Sequence, residues 1–314
     1  MELNHKFKGN KILVTGGAGA IGSNITKVLL DFGAYVDVID DLTSGYLDNV
    51  DKRSNFMKKD ISKTLDLDDD YDYIIHCAAF FANQNSVDHP VRDLEVNGIG
   101  TINVLNLCKN QNNLKGMIYL SSSCVYGPRS GALSIEDEIK DFDTPYAISK
   151  FIGEKYCEFY KKTYNIPIKI VRLFNSYGPG EMPGKYRNVI PNFFKLALNG
   201  QPLTITGTGD ETRDFTYVLD TVYGILETLV YDGENYLFNL GTGIETSIIK
   251  LATEINKLTQ NESGIEFVPR RSWDHISVRK ADIKESKVSL NYNPTTPLCE
   301  GLKLAYEWIK EHNN

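Results

Sequence analysis

A tyrosine and a lysine four residues apart, Tyr146 and Lys150, form the most chemically informative pair in this sequence. Residues at i and i+4 lie on one face of an α-helix. A neighbouring ammonium favours the phenolate, so this spacing predicts a lowered pKa for Tyr146. A phenol with such a pKa can act as a base near neutral pH. Because such pairs also occur by chance on exposed helices, the prediction depends on its surroundings.

A second candidate group, Ser122, lies in Ser121-Ser-Ser-Cys-Val-Tyr-Gly127, about twenty residues upstream. This segment follows the apolar run Met117-Ile-Tyr-Leu120, which is typical of a buried strand. Open α/β sheets bind ligands at the carboxyl ends of their strands. The strand therefore delivers a hydroxyl to the edge where Tyr146 is expected. Pro145 suits the first position of the tyrosine helix, where its missing N–H costs nothing.

A glycine-rich turn, Gly16-Gly-Ala-Gly-Ala-Ile-Gly22, follows the apolar run at residues 11–15 and precedes an amphipathic stretch at residues 23–32. Strand, glycine turn and helix are the context that a dinucleotide-binding fingerprint requires. The spacing is G-x-x-G-x-x-G rather than G-x-G-x-x-G. A glycine-rich turn without a ligand is the alternative.

Each glycine of this turn has a predicted task. Gly16 allows a tight turn, Gly19 lets a pyrophosphate approach the backbone, and Gly22 lets the helix pack on the strand. The N-terminus of the helix, with Ala20 and Ile21, then faces the phosphates.

A second predicted strand, residues 34–39, ends in Asp40 and Asp41. Asp40 lies 18 residues past Gly22, near the expected distance for a carboxylate that accepts hydrogen bonds from the adenosine ribose. A carboxylate there repels a 2′-phosphate, so NAD is favoured over NADP. A solvated loop acid is the alternative.

Further strands alternate with helices through residue 173, which predicts a Rossmann-type, doubly wound parallel sheet in the α/β class. Asp60 and Ile61 end the third strand, and His76, in the fourth, is interpreted as a packed core histidine. The remaining predicted segments are strands at residues 55–61, 71–76, 115–120 and 166–173 and a helix at residues 94–109.

The second half is predicted to be a smaller α/β substrate-binding domain interleaved with the first. The NAD-binding domain takes residues 1–175 plus roughly 215–243, and the other takes 176–214 plus 244–314. The strand at residues 236–240 is placed so that it could rejoin the first sheet. The other predicted elements are helices at residues 188–199, 218–230, 245–258 and 298–310 and strands at residues 203–206 and 265–268.

Composition narrows the class of protein. The 314 residues are 41% hydrophobic and 24% charged, and the net charge of −7 argues against nucleic-acid and anionic-membrane partners. No apolar run approaches the roughly 18 residues that span a bilayer, and the first residues show no signal peptide. Five cysteines without a Cys-x-x-Cys pair argue against a disulfide framework or a metal site, so a cytoplasmic location is expected.

Taken together, these motifs resemble the extended short-chain dehydrogenase/reductase family of nucleotide-sugar epimerases, dehydratases and decarboxylases, in particular enzymes like UDP-glucose 4-epimerase. The resemblance covers nearly the whole chain. Besides the segments above, it rests on His76-Cys-Ala-Ala79, Asn97, Arg172-Leu-Phe-Asn-Ser-Tyr-Gly-Pro179 and Arg213-Asp-Phe215.

The resemblance implies NAD as the cofactor and a catalytic trio of Ser122, Tyr146 and Lys150. Lys150 is expected on the nicotinamide ribose, Tyr146 is expected to take the proton of a sugar hydroxyl, usually at C4, and Ser122 is expected to hydrogen-bond the same oxygen. The cofactor-binding residues that it implies are Gly16, Gly19, Ala20, Ile21, Gly22, Asp40, Asp41, Asp60, Ile61, Ala78, Ala79, Asn97, Tyr146 and Lys150.

The same resemblance implies a nucleoside-diphosphate sugar as the substrate. Its contacts are expected from Ser122, Asn175, Asn188, Val189, Arg213 and Arg271. An arginine fork suits paired phosphate oxygens. A surface ion pair is the alternative for each arginine.

The residues before Val125 bear on the reaction, because dehydratases of the family carry Asp-Glu there and decarboxylases a Glu. This chain has Ser123-Cys124, so neither reaction has its usual acid. Cys124 resembles the base of 3,5-epimerising members, but Asn188 stands where those carry a His or Lys, and a packed neutral thiol is the alternative.

The leading hypothesis is an NAD-dependent 4-epimerase. A C4 dehydrogenase that releases a 4-keto sugar uses the same trio and remains an alternative, as do a 3,5-epimerase, a UDP-glucuronate decarboxylase and a non-enzymatic NAD sensor. Phe80-Phe81 replaces a lysine that UDP-galactose 4-epimerases have near the nicotinamide. By analogy with the family, a homodimer is expected through helices at residues 94–109 and 146–164.

Overall fold

The computed structural model describes residues 2–67, 69–271, 273–274 and 276–312. Its strands are β1 Lys11–Thr15, β2 Tyr35–Asp40, β3 Asn55–Lys58, β4 Tyr73–His76, β5 Gly116–Ser122, β6 Gly131–Leu133, β7 Ile168–Leu173, β8 Ser176–Tyr177, β9 Leu203–Thr206, β10 Thr212–Arg213, β11 Thr216–Tyr217, β12 Leu237–Leu240, β13 Thr246–Ser247, β14 Ile265–Val268 and β15 Val278–Ala281.

The α-helices are α1 Glu2–Phe7, α2 Ala20–Asp31, α3 Asn83–Asp88, α4 Pro90–Leu94, α5 Thr101–Lys109, α6 Pro145–Tyr164, α7 Val189–Leu198, α8 Val218–Leu229, α9 Ile248–Thr259, α10 Lys284–Leu290 and α11 Leu298–His312. Short 3₁₀ turns occupy Leu47–Asn49 and Ser123–Tyr126. Within the described residues, no helix is both long and apolar enough to cross a bilayer.

Seven parallel strands form the central sheet in the order β12-β7-β5-β4-β1-β2-β3. The chain runs outward from β1 to β3 and then continues on the other side of β1 with β4. This reversal opens a crevice at the carboxyl edge of the sheet, the usual ligand site of such folds. The predicted doubly wound sheet is confirmed, and β12 pairs with β7 as its position in the sequence suggested.

The central strands are apolar over most of their length because helices cover both faces of the sheet. On one face, Ile12 and Val14 of β1 belong to a core that also contains residues of α2 and α8. On the other face, Leu13 packs with residues of β4, β5, α5 and α6. Alternate residues of one strand thus join two separate cores, which fixes the register of the sheet.

A smaller four-stranded sheet, in the order β13-β10-β15-β6, belongs to the second half except for β6, which comes from residues before 175. Two parallel pairs, β8–β11 and β9–β14, complete the strands of the described chain. The sequence did not predict β6, β15, α1, α3 or α10. These elements have three to seven residues, too few to show a clear period.

Several predicted helices have different bounds in the structure, among them α2 and the helix predicted at residues 94–109. Helix α2 begins at Ala20, three residues before the predicted stretch, so that the glycine turn itself supplies its first turn. The predicted helix at residues 94–109 is divided into the end of α4, a π-helical stretch at Glu95–Gly100, and α5. The π-helical stretch includes Asn97, whose contacts are described below.

Candidate active site

The glycine turn is shaped by close approaches that only glycine allows. Gly16 has φ +71°, and a Cβ there would lie 2.6 Å from the backbone nitrogen of Ala78. At Gly22, a Cβ would lie 2.3 Å from the carbonyl oxygen of Gly16. Gly19 caps α2 without any side-chain hydrogen bond to the first turn. The first N–H groups of α2 are therefore open for an anion, as the predicted pyrophosphate site requires.

Asp40 ends β2 and is buried beside the glycine turn. Its carboxylate accepts hydrogen bonds from the backbone nitrogens of Ala18, at 3.0 Å, and Leu42, at 2.8 Å. Burial raises the pKa of Asp40, and these two donors oppose the shift.

Asp41 and Asp60 share a cation that the sequence did not reveal. Arg92 Nη2 lies 2.9 Å from Asp60 Oδ2 and 3.5 Å from Asp41 Oδ2. Because Arg92 already faces two carboxylates, it offers little attraction to an added 2′-phosphate.

The tyrosine and the lysine occupy the first turns of α6. The Thr144 side chain caps this helix by accepting a hydrogen bond from the backbone nitrogen of Ala147, and Pro145 takes the first helical position. Tyr146 and Lys150 are both buried, with 7% and 2% of their surface exposed. Ser122 stands at the carboxyl end of β5 and faces the same cleft as Tyr146. The predicted trio therefore meets at the edge of the sheet.

The predicted lowering of the Tyr146 pKa is wrong for this structure. Burial raises the pKa of Tyr146 well above its usual range, and the nearby Ser122 hydroxyl only partly opposes that shift. Lys150 is not among the groups that shift this pKa, and its Nζ lies 4.3 Å from the centre of the Tyr119 ring. Burial also lowers the pKa of Lys150, to about 8. The spacing places both residues on one buried face of α6, but desolvation dominates their electrostatics.

A buried ion pair supports α6 just beyond Lys150. Glu154 lies one turn further along the helix and receives two hydrogen bonds from Arg172 of β7, at 2.9 and 2.8 Å. Ser121 of β5 donates to the same carboxylate at 2.6 Å. The helix is thereby fastened to two central strands directly behind the candidate catalytic residues. Sequence analysis missed Glu154, although its spacing of four residues from Lys150 could have indicated it.

Asn97 is buried in protein contacts and does not line the cleft. Its Oδ1 accepts from the backbone nitrogen of Phe80 at 2.8 Å, and its Nδ2 donates to Asp93 at 2.9 Å and to Ser149 at 3.1 Å. These contacts join the loop after β4 to α6. In this structure Asn97 therefore stabilises the residues that line the cleft and does not itself face the cleft.

His76 forms a buried chain of hydrogen bonds. Its ring nitrogens lie 2.7 Å from Thr15 Oγ1 and 3.1 Å from Thr101 Oγ1, and Thr101 donates to the carbonyl of Asn97. Burial lowers the pKa of His76 to about 3. A neutral, fully satisfied imidazole matches the predicted role of a core histidine.

One cleft of about 1150 Å³ brings the two predicted groups of residues together. With the exception of Asn97, every predicted site residue lines it. These residues are Gly16, Gly19, Ala20, Ile21, Gly22, Asp40, Asp41, Asp60, Ile61, Ala78, Ala79, Ser122, Tyr146, Lys150, Asn175, Asn188, Val189, Arg213 and Arg271.

The substrate end of the cleft carries several charged groups. Arg213 Nη2 lies 3.5 Å from Asp274, and Arg213 Nη1 donates to two backbone carbonyls. Arg271 is exposed, with its guanidinium 5.7 Å from the centre of the Trp273 ring. Asn175 Nδ2 donates to the carbonyl of Asp214 at 3.1 Å. The two arginines thus lie along a wall that suits a polyanionic ligand.

Cys124 and Phe81 face the same cleft close to Tyr146. The thiol accepts a hydrogen bond from Asn83 Nδ2 at 3.5 Å, and the Phe81 ring lies edge-on to the Tyr146 ring at 6.1 Å. No carboxylate occupies the position of Cys124, as the sequence shows. The apolar ring helps to exclude water from the phenol.

The model of the NAD-dependent epimerase/dehydratase family matches residues 12–241. The chain belongs to this family. The match spans the glycine turn, β5, α6 and β12, and therefore the whole central sheet.

Similar proteins cover nearly the full chain. A putative UDP-glucose 4-epimerase from Methanocaldococcus jannaschii is 35% identical over 96% of this chain and 99% of its own. The structure of an epimerase from Methanothermobacter thermautotrophicus is 41% identical with a TM-score of 0.93, covering 99% of this chain and 95% of its own. A UDP-glucose 4-epimerase from Thermotoga maritima, solved with UDP-glucose, is 30% identical with a TM-score of 0.89, covering 97% and 100%.

As a member of the NAD-dependent epimerase/dehydratase family, the chain is an enzyme that uses NAD. The structure also reveals residues of this family site that sequence analysis missed. Glu181 is buried in the cleft, where desolvation raises its pKa to about 7, and it accepts a hydrogen bond from Asn188 at 2.7 Å. Arg187 and Arg279 also line the cleft. They stand in loop or short-strand segments without a recognisable motif, so no sequence signal separated them from other charges.

Proposed function

We propose that this chain is an NAD-dependent 4-epimerase of a nucleoside-diphosphate sugar. The observation that carries the proposal is that Ser122, Tyr146 and Lys150 line the same cleft as Asp40 and Arg213. The glycine turn and Asp40 suit the dinucleotide, whereas Arg213 suits a diphosphate. One cleft can therefore hold both ligands, with the trio between them.

In this mechanism, Tyr146 accepts the proton of the sugar C4 hydroxyl while that carbon loses a hydride. Ser122 hydrogen-bonds the same oxygen and orients it. Bound NAD supplies the acceptor for the hydride and later its donor. After the keto sugar has turned in the cleft, Tyr146 returns its proton to the oxygen as hydride reaches the opposite face. No net oxidation results.

Because Tyr146 is buried, it needs a nearby positive charge to lose its proton. A phenol whose pKa is raised by burial needs nearby positive charge before it can act as a base. Lys150 is the cation on the same helix face, and the positive nicotinamide ring of NAD⁺ adds a second charge when it is bound. The proposal therefore assigns Lys150 to the nicotinamide ribose, and the charge that lowers the pKa of Tyr146 to the bound NAD⁺.

Substrate contacts are proposed from Asn175, Asn188, Val189, Arg213 and Arg271. The relatives from Methanocaldococcus jannaschii and Thermotoga maritima are named for UDP-glucose. We accordingly propose a UDP-sugar, and the cofactor contacts are those predicted above, with Asn97 acting from behind the wall.

A C4 dehydrogenase is the second candidate, because it uses the same trio and releases the keto sugar. A 3,5-epimerase would need an acid opposite Cys124, and Asn188 does not supply one. A decarboxylase would need a carboxylate at the position of Cys124. The geometry thus favours chemistry confined to C4.

A panel of UDP-sugars tests the proposal. We expect the purified enzyme to interconvert a pair of C4 epimers without accumulating NADH, and Tyr146→Phe to lower kcat by at least about 10³-fold, as loss of a general base does. Tyr156→Phe, on the same helix, is the matched control. Accumulating NADH with a keto product would favour the dehydrogenase, and unchanged turnover in Tyr146→Phe would overturn the catalytic assignment.

We also propose the two-domain division given above, with β6 added to the substrate-binding part, and a homodimer. Exposed apolar side chains, unusual on a monomer surface, gather on α6 and on the segment before α5. They are Val91, Leu94, Ile99, Ile148 and Phe159. A second copy of the chain would cover them.

A further inference from the structure

A segment of the substrate half lies directly on the dinucleotide turn. We call residues 179–188 the strap. A Cβ added to Gly180 would lie 3.1 Å from Ala20 Cα, which shows how closely the strap approaches the start of α2. Asn24 of α2 donates to the carbonyl of Pro179 at 2.9 Å. The strap thus rests on the element whose open N–H groups suit the pyrophosphate.

The strap also contacts the loop that follows β2, residues 41–49, which begins beside Asp40. Arg187 Nη2 donates to the carbonyl of Ser44, and the guanidinium lies 5.7 Å from the centre of the Tyr46 ring. Asn49 Nδ2 donates to the carbonyl of Gly180 at 2.9 Å. Contacts at both ends of the strap therefore join the two halves of the protein across the adenosine side of the cleft.

The far side of the strap is anchored to the substrate half. Asn192 of α7 accepts from the backbone nitrogen of Gly184 at 2.9 Å and donates to the carbonyl of Arg187 at 3.2 Å. Within the strap, Arg187 acts electrostatically on buried Glu181, which in turn accepts from Asn188. A chain of contacts thus runs from the loop after β2 to Asn188, a proposed substrate residue.

We propose that Arg187 is a positioning residue that closes the strap over bound NAD and retains the cofactor between the two hydride transfers. A dinucleotide on the glycine turn lies behind the Arg187–Ser44 contact, so its release requires that contact to open. A nucleoside diphosphate held at Asn188 orders the same segment and slows release further. The purpose of this retention rests on the proposed epimerase, because a dehydrogenase must exchange its cofactor at every turnover.

The test measures release of NAD from the full-length protein without any sugar. NAD-loaded protein is mixed with excess 1,N⁶-etheno-NAD, and exchange is followed by fluorescence. We expect Arg187→Ala and Asn49→Ala each to release NAD at least tenfold faster than the unaltered protein. Arg187→Lys keeps the charge without the planar fork, so its rate of NAD release should lie between those of the unaltered protein and Arg187→Ala. Lys185→Ala is the control, since its Nζ contacts Tyr186 and Asp88 rather than the loop after β2.

Addition of UDP tests the coupling. UDP should slow NAD release in the unaltered protein and in Lys185→Ala but have no such effect in Arg187→Ala. If both Arg187→Ala and Asn49→Ala release NAD at the unaltered rate, the strap does not retain the cofactor. If UDP slows NAD release equally in Arg187→Ala and in the unaltered protein, Arg187 does not couple the two ligands. Thermal melting checks that each variant is folded. The exchange assay involves no sugar turnover. Its result can therefore be read separately from the epimerase assay, even if that assay fails.

Discussion

Three buried ionisable residues, Tyr146, Lys150 and Asp93, control the charge at the catalytic end of the cleft. Asp93 accepts from Asn97 Nδ2 at 2.9 Å, and burial raises its pKa to about 6. Burial lowers the pKa of Lys150 to about 8, and Asp93 is among the groups that oppose this shift. The protein therefore places an acid behind the lysine without letting it reach the substrate.

The pKa of Asp93 predicts how stability depends on pH. The folded pKa exceeds the unfolded value, so its contribution to stability is complete below about pH 4 and is lost as pH rises through about 6. Relative to Asp93→Asn, the free energy of unfolding of the unaltered protein should fall by about 2–3 kcal/mol between pH 4 and pH 7. Urea titrations at several pH values measure this, with exposed Asp48→Asn as the control. If the difference in the free energy of unfolding between the unaltered protein and Asp93→Asn were the same at every pH, the prediction would be wrong.

At this scale, the spacing of Tyr146 and Lys150 and the position of Ser122 were enough to find the candidate catalytic residues. The electrostatics were not predictable, because desolvation depends on neighbours such as Tyr119 that are distant in sequence from Tyr146. Asn97 shows the same limit, since a motif residue can support a site through Phe80 rather than face it.

Among the elements, the turn between β1 and α2 has little tolerance for added atoms. At Gly22, a Cβ would meet three backbone atoms of Gly16 and Gly17 at 2.3–2.9 Å, and backbone cannot move aside as a flexible side chain can. Helix α2 is therefore held close to the turn, with its N-terminus directed at the cleft.

Gly22→Ala should displace α2 from this turn. We expect NAD affinity to fall at least tenfold and the free energy of unfolding to fall by about 1–3 kcal/mol, the usual cost of overpacking. Calorimetric titration with NAD and urea unfolding measure the two effects. Ser23→Ala, one residue along the helix, should change neither by more than about 1 kcal/mol. NAD binding of normal strength in Gly22→Ala would refute this account of the turn.

Alternation of apolar runs and amphipathic stretches predicted the central sheet and most long helices. Helix bounds were less accurate, as at α2, because glycines in the first turn hide the helical pattern. Strands such as β6 and β15 pair across 148 residues of chain, and no local signal records such a contact.

For the whole molecule, the proposed homodimer depends on the apolar side chains that α6 and the segment before α5 expose. Phe159 of α6 and Ile99 before α5 are each about half exposed. Burying them against a second copy would remove apolar surface from water, which is the main favourable term in association.

Phe159→Glu combined with Ile99→Glu should convert a dimer into a monomer. Uncompensated buried charges cost several kcal/mol, so the dissociation constant should rise at least 100-fold. Sedimentation velocity over a range of concentrations measures the change. Val288→Glu, at an exposed apolar position on α10, is the control. If the unaltered protein sediments as a monomer, the proposed homodimer is wrong.

The pairing of β12 with β7 bears on how the newly made polypeptide matures. One edge strand of the central sheet is supplied by residues 237–240, which are translated after residues 176–214 of the proposed substrate-binding domain but before its residues 244–314. Until those residues emerge from the ribosome, the backbone groups along one side of β7 have no β12 partner and can recruit another chain. Completion of the central sheet thus waits for the synthesis of residues 176–214, so the two proposed domains cannot be made one after the other.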